Sequence, residues 1–473
     1  MIFDLPDIDP TRITTLEQAK QAIIRLLNGI EKLTQQNTLQ AEQIRFLKEE
    51  NALLKRQPPA PPVGHKQESI QYSATKFVSP KGKKQWSKTS KKGTIPIDRE
   101  VALEEVIQCT CGSCEFTTIR THEKIVQDIV IQRNNTRYSG KDKRCANCGK
   151  IYPAAIPADV KGVSFGSELR TWLSYFKYEG RMTMGKVADF LSHLGISISR
   201  GEISEMLLAN SRKLAGTYAH LCVWGIKLSI YLGTDATGIR RREKWDTKGT
   251  NQHLHILGHN CLSIFKITRH YNSGVLHRFL GKRGREKLFI SDDGSPNGEK
   301  LRLKWKQLCW IHEIRHYLKI TAVLGIHKQK LLPVIEQLRY FYHLAKDYRE
   351  HPIQQTRIQL EALFDQITTM PTGFDLLDHR LTLTRKKRSR LLVFLDHPAV
   401  PIHNNQCEQD LRDAVRIKHI SRETKSKAGD RSFERHLSII QTIRKQGLDV
   451  FSTLHGLLTG QLSPFVLTAK RIE

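Results

Sequence analysis

The sequence predicts a multidomain α/β protein: an N-terminal coiled coil, a four-cysteine module, a helical region, and an α/β core with a helical insertion. Three observations predict it. An apolar seam with 3-4-3-4 spacing runs from Leu16 to Leu54. Two C-x-x-C pairs stand at Cys111/Cys114 and Cys145/Cys148. From Lys227 the apolar period falls to that of strands, and over 310–395 it returns to that of helices.

At 473 residues the chain has room for roughly three domains, and 39% hydrophobic content suffices for ordinary cores. Its 76 Lys and Arg against 47 Asp and Glu leave a formal charge of +29. Such an excess calls for a polyanionic partner, with nucleic acid ahead of an anionic membrane surface. No apolar run approaches the ~18 residues of a membrane-spanning helix. The start, "MIFDLPDIDP", is acidic and does not suit a secretory signal. The expected setting is the cytoplasm, on the nucleoid. Nine cysteines there are free or metal-bound rather than paired in disulfides.

The coil is expected over residues 14–56. One seam set is Leu16, Ile23, Ile30, Asn37, Ile44 and Asn51; the other is Ala19, Leu26, Leu33, Gln40, Leu47 and Leu54. Ile in the first set and Leu in the second favour a parallel two-stranded coil, hence a homodimer or a higher assembly. Asn37 and Asn51 would fix the register at a cost in stability. The competing reading is one amphipathic helix docked on its own domain. Residues 57–98 form a linker. "QPPAPPVGHK" is semi-rigid, and Lys81, Lys83, Lys84, Lys88, Lys91 and Lys92 around Trp86 are either solvated or phosphate contacts.

Residues 99–160 are expected to bind zinc. Each C-x-x-C knuckle brings two thiolates to one metal, and Cys111, Cys114, Cys145 and Cys148 complete a closed tetrahedral site. Cys109 is a spare that could replace Cys111. The intervening "TTIRTHEKIVQDIVIQRNNTRY" alternates like a strand. The competing reading is four reduced thiols. Residues 161–224 read as helices, and "TMGKVADFLSHLG" with "ISISRGEISEMLLANSRKL" suggests helix-turn-helix with Ser199 as cap. Ordinary helix packing explains the same pattern.

The core is expected over 225–425. "IKLSIYLGTDATG" reads as a strand ending at Asp235, "NQHLHILGH" and "CLSIFKITRH" as two more, and "EKLFISDDG" as a fourth ending at Asp292 and Asp293. The helical insertion, about 310–395, is basic and includes "RKKRSR". In "VPIHNNQCEQDLRDAV", Asn404 and Asn405 are expected to cap a helix with Glu408 on its first turn or two. A helical tail occupies 426–473. Asp235, Asp292 and Glu408 have no basic partner inside their motifs, so they repel one another unless a cation joins them. Oxygen ligands of this kind suit Mg²⁺, and a pair of such ions serves in-line phosphoryl displacement. Surface carboxylates that merely end strands are the bland alternative.

"TDATG", "FISDDG", "CWIHEIRH" and "PIHNNQCEQDLR" resemble, in order, the motifs of bacterial insertion-sequence transposases of family sixty-six (TnpC-like). That family opens with a leucine-zipper segment and a four-cysteine zinc module, so the resemblance runs from about Leu16 to Leu458. It implies a ribonuclease-H-like catalytic core with an acidic DDE triad. It further implies DNA transposition at element ends and into target DNA, with two catalytic Mg²⁺ and one structural Zn²⁺. Small accessory proteins encoded beside the transposase are implied too. Carried over, Asp235 is the first acid, Asp292 the second with Asp293 as the neighbour open to confusion, and Glu408 the third. The sequence departs at Ala236, where the family has Glu, and at Gln409, where it has Arg; neither change removes an acid. The second functional reading is a DNA-binding protein derived from a transposase and without catalysis. "HEIRH" at His312–His316 also matches the zinc-protease pattern, with Glu313 as base, and would need a third ligand beside His312 and His316. Under the resemblance His312 and Arg315, with Cys309 and Trp310 before them, serve phosphate contact or core support.

Overall fold

The computed structural model describes residues 8, 13–54, 97–104, 107–108, 110–112, 114–115, 117–120, 123–129, 131–157, 161–243, 248–294 and 303–468. The lysine run Lys81–Lys92 with Trp86, and Cys109, lie outside these residues. Packing divides the chain into two compact units, Met1–Glu42 with Gln132–Glu473, and Gln43–Ile131.

Helix α1 spans Leu16–Leu54. Its seam residues Leu16, Ile23, Leu26, Ile30, Ile44 and Leu47 are exposed. A different face is docked. Asn28 Nδ2 donates to Asp375 Oδ1 at 3.0 Å, and the Asp375 N–H donates to Asn28 Oδ1 at 3.0 Å. Glu31 is fully buried against His327 at 3.1 Å and accepts from the Leu324 N–H at 2.9 Å. Burial alone would raise the Glu31 carboxyl, but the Leu324 and Val323 N–H groups and His327 hold it low.

A short hairpin, β1 (Lys143–Arg144) with β2 (Ile151–Tyr152), frames the second C-x-x-C. The described residues of 117–138 form no strand, and Ile119, Val126 and Ile129 are exposed. The strand expected there is absent because alternation alone does not satisfy a backbone; a strand needs a paired neighbour.

Helices α2 (Ser167–Ser174), α3 (Met184–His193) and α4 (Arg200–Lys213) follow. Ser199 caps α4 in a full capping box with Glu202. Ile203, Met206 and Leu207 bury one face of α4. Helices α5 (Ala215–His220) and α6 (Ile226–Leu228) lead into the sheet, so the first strand starts at Tyr231, later than the pattern change at Lys227 suggested.

The sheet runs in the order β5-β4-β3-β6-β7. Strands β3 (Tyr231–Arg241), β4 (Thr250–His259) and β5 (Leu262–Thr268) form an antiparallel meander. Helix α7 (Ser273–Gly284) crosses to β6 (Leu288–Ser291), which runs parallel to β3, and β7 (Trp305–Leu308) runs parallel to β6. Asp235 does not end its strand. It lies inside β3, because β4 pairs with β3 as far as Arg241↔Thr250, well beyond the end of β6.

The insertion comprises α8 (Trp310–Leu318), α9 (Gly325–Glu350), α10 (Gln354–Thr369), α11 (Asp375–Lys386), α12 (Arg388–Leu391) and α13 (Val393–Asp396). It has its own apolar core around Trp310, Tyr317, Phe341, Phe364 and Phe374. The return of the chain is pinned to β7. Gln307 and Trp310 both donate to the Leu391 carbonyl, at 3.0 and 2.8 Å. Helices α14 (Asn405–Ser421), α15 (Lys427–Lys445) and α16 (Val450–Thr459) complete the fold, with α14 against β3 and β4 and α15 against β5. Among the described residues, no helix is long and apolar enough to cross a membrane.

Candidate active site

Strands β3 and β6 set the first two acids. Gly233 stands opposite Ile290 in the parallel pair. Asp235 and Asp292 are each two residues further on, hence on the same face of neighbouring strands roughly 5 Å apart. Asp292 is the first residue after β6.

Helix α14 brings the third acid, and two glycines let it approach. A Cβ on Gly233 would meet Asn404 Oδ1 and Cys407 Sγ, both at 2.7 Å; one on Gly258 would meet Cys407 Sγ at 2.8 Å. The buried Cys407 therefore seats in the gap that the paired Gly233 and Gly258 leave in the sheet. Asn404 occupies the N-cap position, yet its side chain does not cap α14. The expected cap is replaced by a clamp: Asn404 Nδ2 donates to the Thr234 carbonyl at 2.6 Å, beside Asp235. One turn on, buried Asp410 accepts from Ser263 Oγ at 2.7 Å and pairs with Lys445 at 2.5 Å, tying α14 to β5 and α15. Glu408 lies between these anchors, on the first turn of α14.

Two of the carboxylates act on the third. Burial pushes the Asp235 carboxyl up to about 7, and the charges of Asp292 and Glu408 add to the rise; the Ala236 N–H and Arg315 oppose it. Glu408 has two cations near it, Arg315 at 3.7 Å and Arg412 at 3.8 Å, and His312, which burial holds towards its neutral form, at 3.8 Å, all beyond hydrogen-bond length. Its Oε1 is buried without a hydrogen-bond partner, and so is His312 Nδ1. Asp235, Asp292 and Glu408 are not gathered within 4.8 Å of one another, but carboxylate oxygens of this kind, one of them orphaned, suit a hard divalent cation. Burial, then the charges of Asp292 and Asp235, pushes the Tyr271 hydroxyl up, so this phenol stays protonated beside the acids.

The neighbouring residue Asp293 belongs elsewhere. With Glu313 and His316 it forms a group whose ligand atoms lie within 4.8 Å of one another, close enough to hold a metal. Protein cations already fill it. Lys387 bonds Asp293 and also Glu313, the latter at 3.1 Å, and Arg380 bonds Glu313. The His316 hydrogen bond and Lys387 outweigh burial and hold Asp293 well below the usual carboxylate range. Burial raises the Glu313 carboxyl, but Arg380 and Lys387 hold it low. His312 is not part of this group and faces Glu408 instead, so "HEIRH" does not assemble as a zinc-protease site among the described residues. Cys309 and Trp310 are core: both are buried, and burial pushes the Cys309 thiol up to about 11. Within "RKKRSR", Lys387 serves the charge cluster and Arg388 bonds Asp365 at 3.0 Å.

Sequence reasoning missed Lys306 on β7. Its Nζ is buried without a hydrogen-bond partner, and burial, with Arg390, draws it down to about 8 against the pull of Asp292 and Asp293. No motif marked it. Asn28 and Glu31 were missed because they fall outside the apolar seam.

Of the four cysteines, Cys145 sits in a knuckle closed by Cys145 N–H to Lys150 carbonyl at 2.9 Å and by Gly149 at positive φ. The N–H groups of Cys148 and Asn147, and the Cys148 thiol, lower the Cys145 thiol. Cys148 is exposed; in the other unit, Cys111 and Cys114 are exposed as well.

The chain is 26% identical over 178 residues to "Uncharacterized protein y4jO" of Sinorhizobium fredii (strain NBRC 101917 / NGR234). The match covers 38% of this chain and 53% of that protein, so the chain spans about half the length of the curated relative. The family described as "Transposase IS66 family" matches residues 162–432, more than half of the 473 residues and a range that contains all three acids. By that match the chain belongs to the IS66 transposase family.

Proposed function

We propose that this chain is a DNA transposase that cuts element ends and joins them to target DNA by metal-dependent phosphoryl transfer. Asp235, Asp292 and Glu408 are the residues that would hold two Mg²⁺. The observation that carries the reading is the raised carboxyl of Asp235, pushed up in part by the charges of Asp292 and Glu408, together with the orphaned Glu408 Oε1. Bound there, the ions would activate water or a 3′-OH and stabilise the leaving oxygen. The protein's part is geometric. The Asn404 clamp and the Cys407 seat fix α14, hence Glu408, against β3. Arg315 and Arg412, within 4 Å of Glu408, are positioned to meet the phosphate of an incoming strand. The strand order, an antiparallel meander followed by two parallel strands, supports a ribonuclease-H-like core.

The decisive assay is cleavage of the element's own end sequences. Cutting with Mg²⁺, none without it, and none by Glu408→Gln with DNA binding intact would support the reading. Cutting by Glu408→Gln at the parent rate would refute it. The second reading, a DNA-binding protein without catalysis, draws on Ala236 and Gln409 and on the two arginines beside Glu408. It predicts binding with no cleavage under any metal.

Two further roles belong to the same reading. The exposed Ile/Leu seam of α1 supports a parallel dimer, and the knuckle at Cys145 together with the spacing of Cys111, Cys114, Cys145 and Cys148 supports one structural zinc. A monomeric mass for the intact chain, or less than about half an equivalent of zinc, would remove the corresponding role.

A further inference from the structure

Three residues along β3 from Asp235, roughly 10 Å at the rise of a strand, a cleft of about 580 Å³ opens between the far ends of β3 and β4 and the C-terminal end of α14. That volume suits one ligand of nucleotide size. Arg240, Lys418, His419 and Arg422 line it. The acid among them, Glu423, is engaged by Arg240 at 3.8 Å and by Arg242 at 3.7 Å. The balance at the rim is therefore positive.

The cleft is also lined by a cross-strand pair, Ile239 and Gln252, both buried. Gln252 is 6% exposed. Its Nε2 donates to Asp430 Oδ2 at 3.2 Å, which decides which end of the amide is the oxygen. Gln252 Oε1 is buried with no hydrogen-bond partner. Asp430 itself is fully used, accepting from Arg241 at 2.8 Å and Thr424 at 2.5 Å. A buried acceptor left unpaired is costly and asks for a donor.

The two features together select a ligand. A simple phosphate answers the rim but offers Gln252 mainly acceptors. A nucleotide answers both, with its phosphate on the cations and an amino or imino N–H of its base on Oε1. We propose that this cleft is a nucleotide pocket. It takes one base of the DNA strand, unstacked from its neighbours, with the adjoining phosphate on Arg240, Lys418 and Arg422. The pocket rests on the reading of the chain as a DNA-handling protein, but not on metal or cleavage.

The test is equilibrium binding by the full chain, without divalent metal, of two single-stranded oligonucleotides of equal length. One is of mixed sequence; the other is abasic throughout. The parent should prefer the first by about tenfold, the scale of a buried hydrogen bond with base contact. Gln252→Leu should bring that preference down by several-fold while affinity for the abasic strand stays within about twofold. Gln252→Met should do the same, because it keeps the length of the side chain and loses the acceptor. It buries no new polar group, so it keeps the test decisive if Gln252→Leu fails to fold. No preference in the parent, or a preference kept by either folded variant, overturns the pocket. A parent that shows the preference but cuts no DNA sinks the transposase reading and leaves the pocket standing; the reverse pattern sinks the pocket alone.

Discussion

Two acidic clusters meet at the end of β6, and consecutive residues belong to them: Asp292 to one, Asp293 to the other. Around Asp293 and Glu313, the cations Lys387 and Arg380 make direct contacts, and His316 adds a hydrogen bond. Both carboxyls are held low. Around Asp235 the charges of two further acids outweigh that of Arg315, and the carboxyl is pushed up to about 7, chiefly by burial. The difference teaches what composition alone cannot. In a chain with charge +29, an acid on which two other acids act more strongly than any cation is uncommon, and it marks where an external cation fits. Proximity of ligand atoms is the weaker guide: among the described residues the balanced cluster lies within 4.8 Å, whereas Asp235, Asp292 and Glu408 do not form such a group.

The largest effect should separate the two neighbours. Asp292→Asn is expected to cut the cleavage rate on the order of 10³-fold, whereas Asp293→Asn should retain measurable cutting; the assay is single-turnover cleavage of labelled element ends. Equal losses would erase the distinction. Stability should separate the clusters the other way. Glu313→Gln leaves Arg380 and Lys387 without their buried partner and should cost about 3 kcal/mol in denaturant unfolding. Asp235→Asn in the metal-free protein should cost nothing at neutral pH and should stabilise.

A smaller effect follows from pH. The folded pKa of Asp235 is raised, so the folded state binds more protons than the unfolded chain between about pH 4 and about 7. Its contribution to metal-free stability is therefore lost as pH rises through that window, at about 1.4 kcal/mol per pH unit at most. Asp235→Asn should flatten the slope there. An unchanged slope would show that the Asp235 carboxyl is not raised in the folded protein.

Much of this was legible in the sequence. The order of the motifs, the meander strands, Glu408 on the first turn of its helix and the Ser199 cap all follow from local patterns, and local patterns are what a sequence displays. What escaped depends on distant partners. Strand β7 is four residues long and hidden beside the helical insertion. β3 runs past Asp235 because β4 continues to pair with it. Asn404 abandons its cap because the Thr234 carbonyl competes for its amide. Asn28 and Glu31 fall outside the apolar seam, and the residues that cover them lie some 290 or more positions away.

The central claim is that the unbalanced cluster, and not the balanced one, takes the divalent ion. Mn²⁺ replaces Mg²⁺ at hard oxygen sites, and its anomalous scattering in crystals soaked with the ion locates it directly. The account predicts Mn²⁺ bound by Asp235, Asp292 and Glu408 in the parent, and none there in Asp235→Asn. Manganese on Asp293, Glu313 and His316, with Asp235 left unliganded, would contradict it.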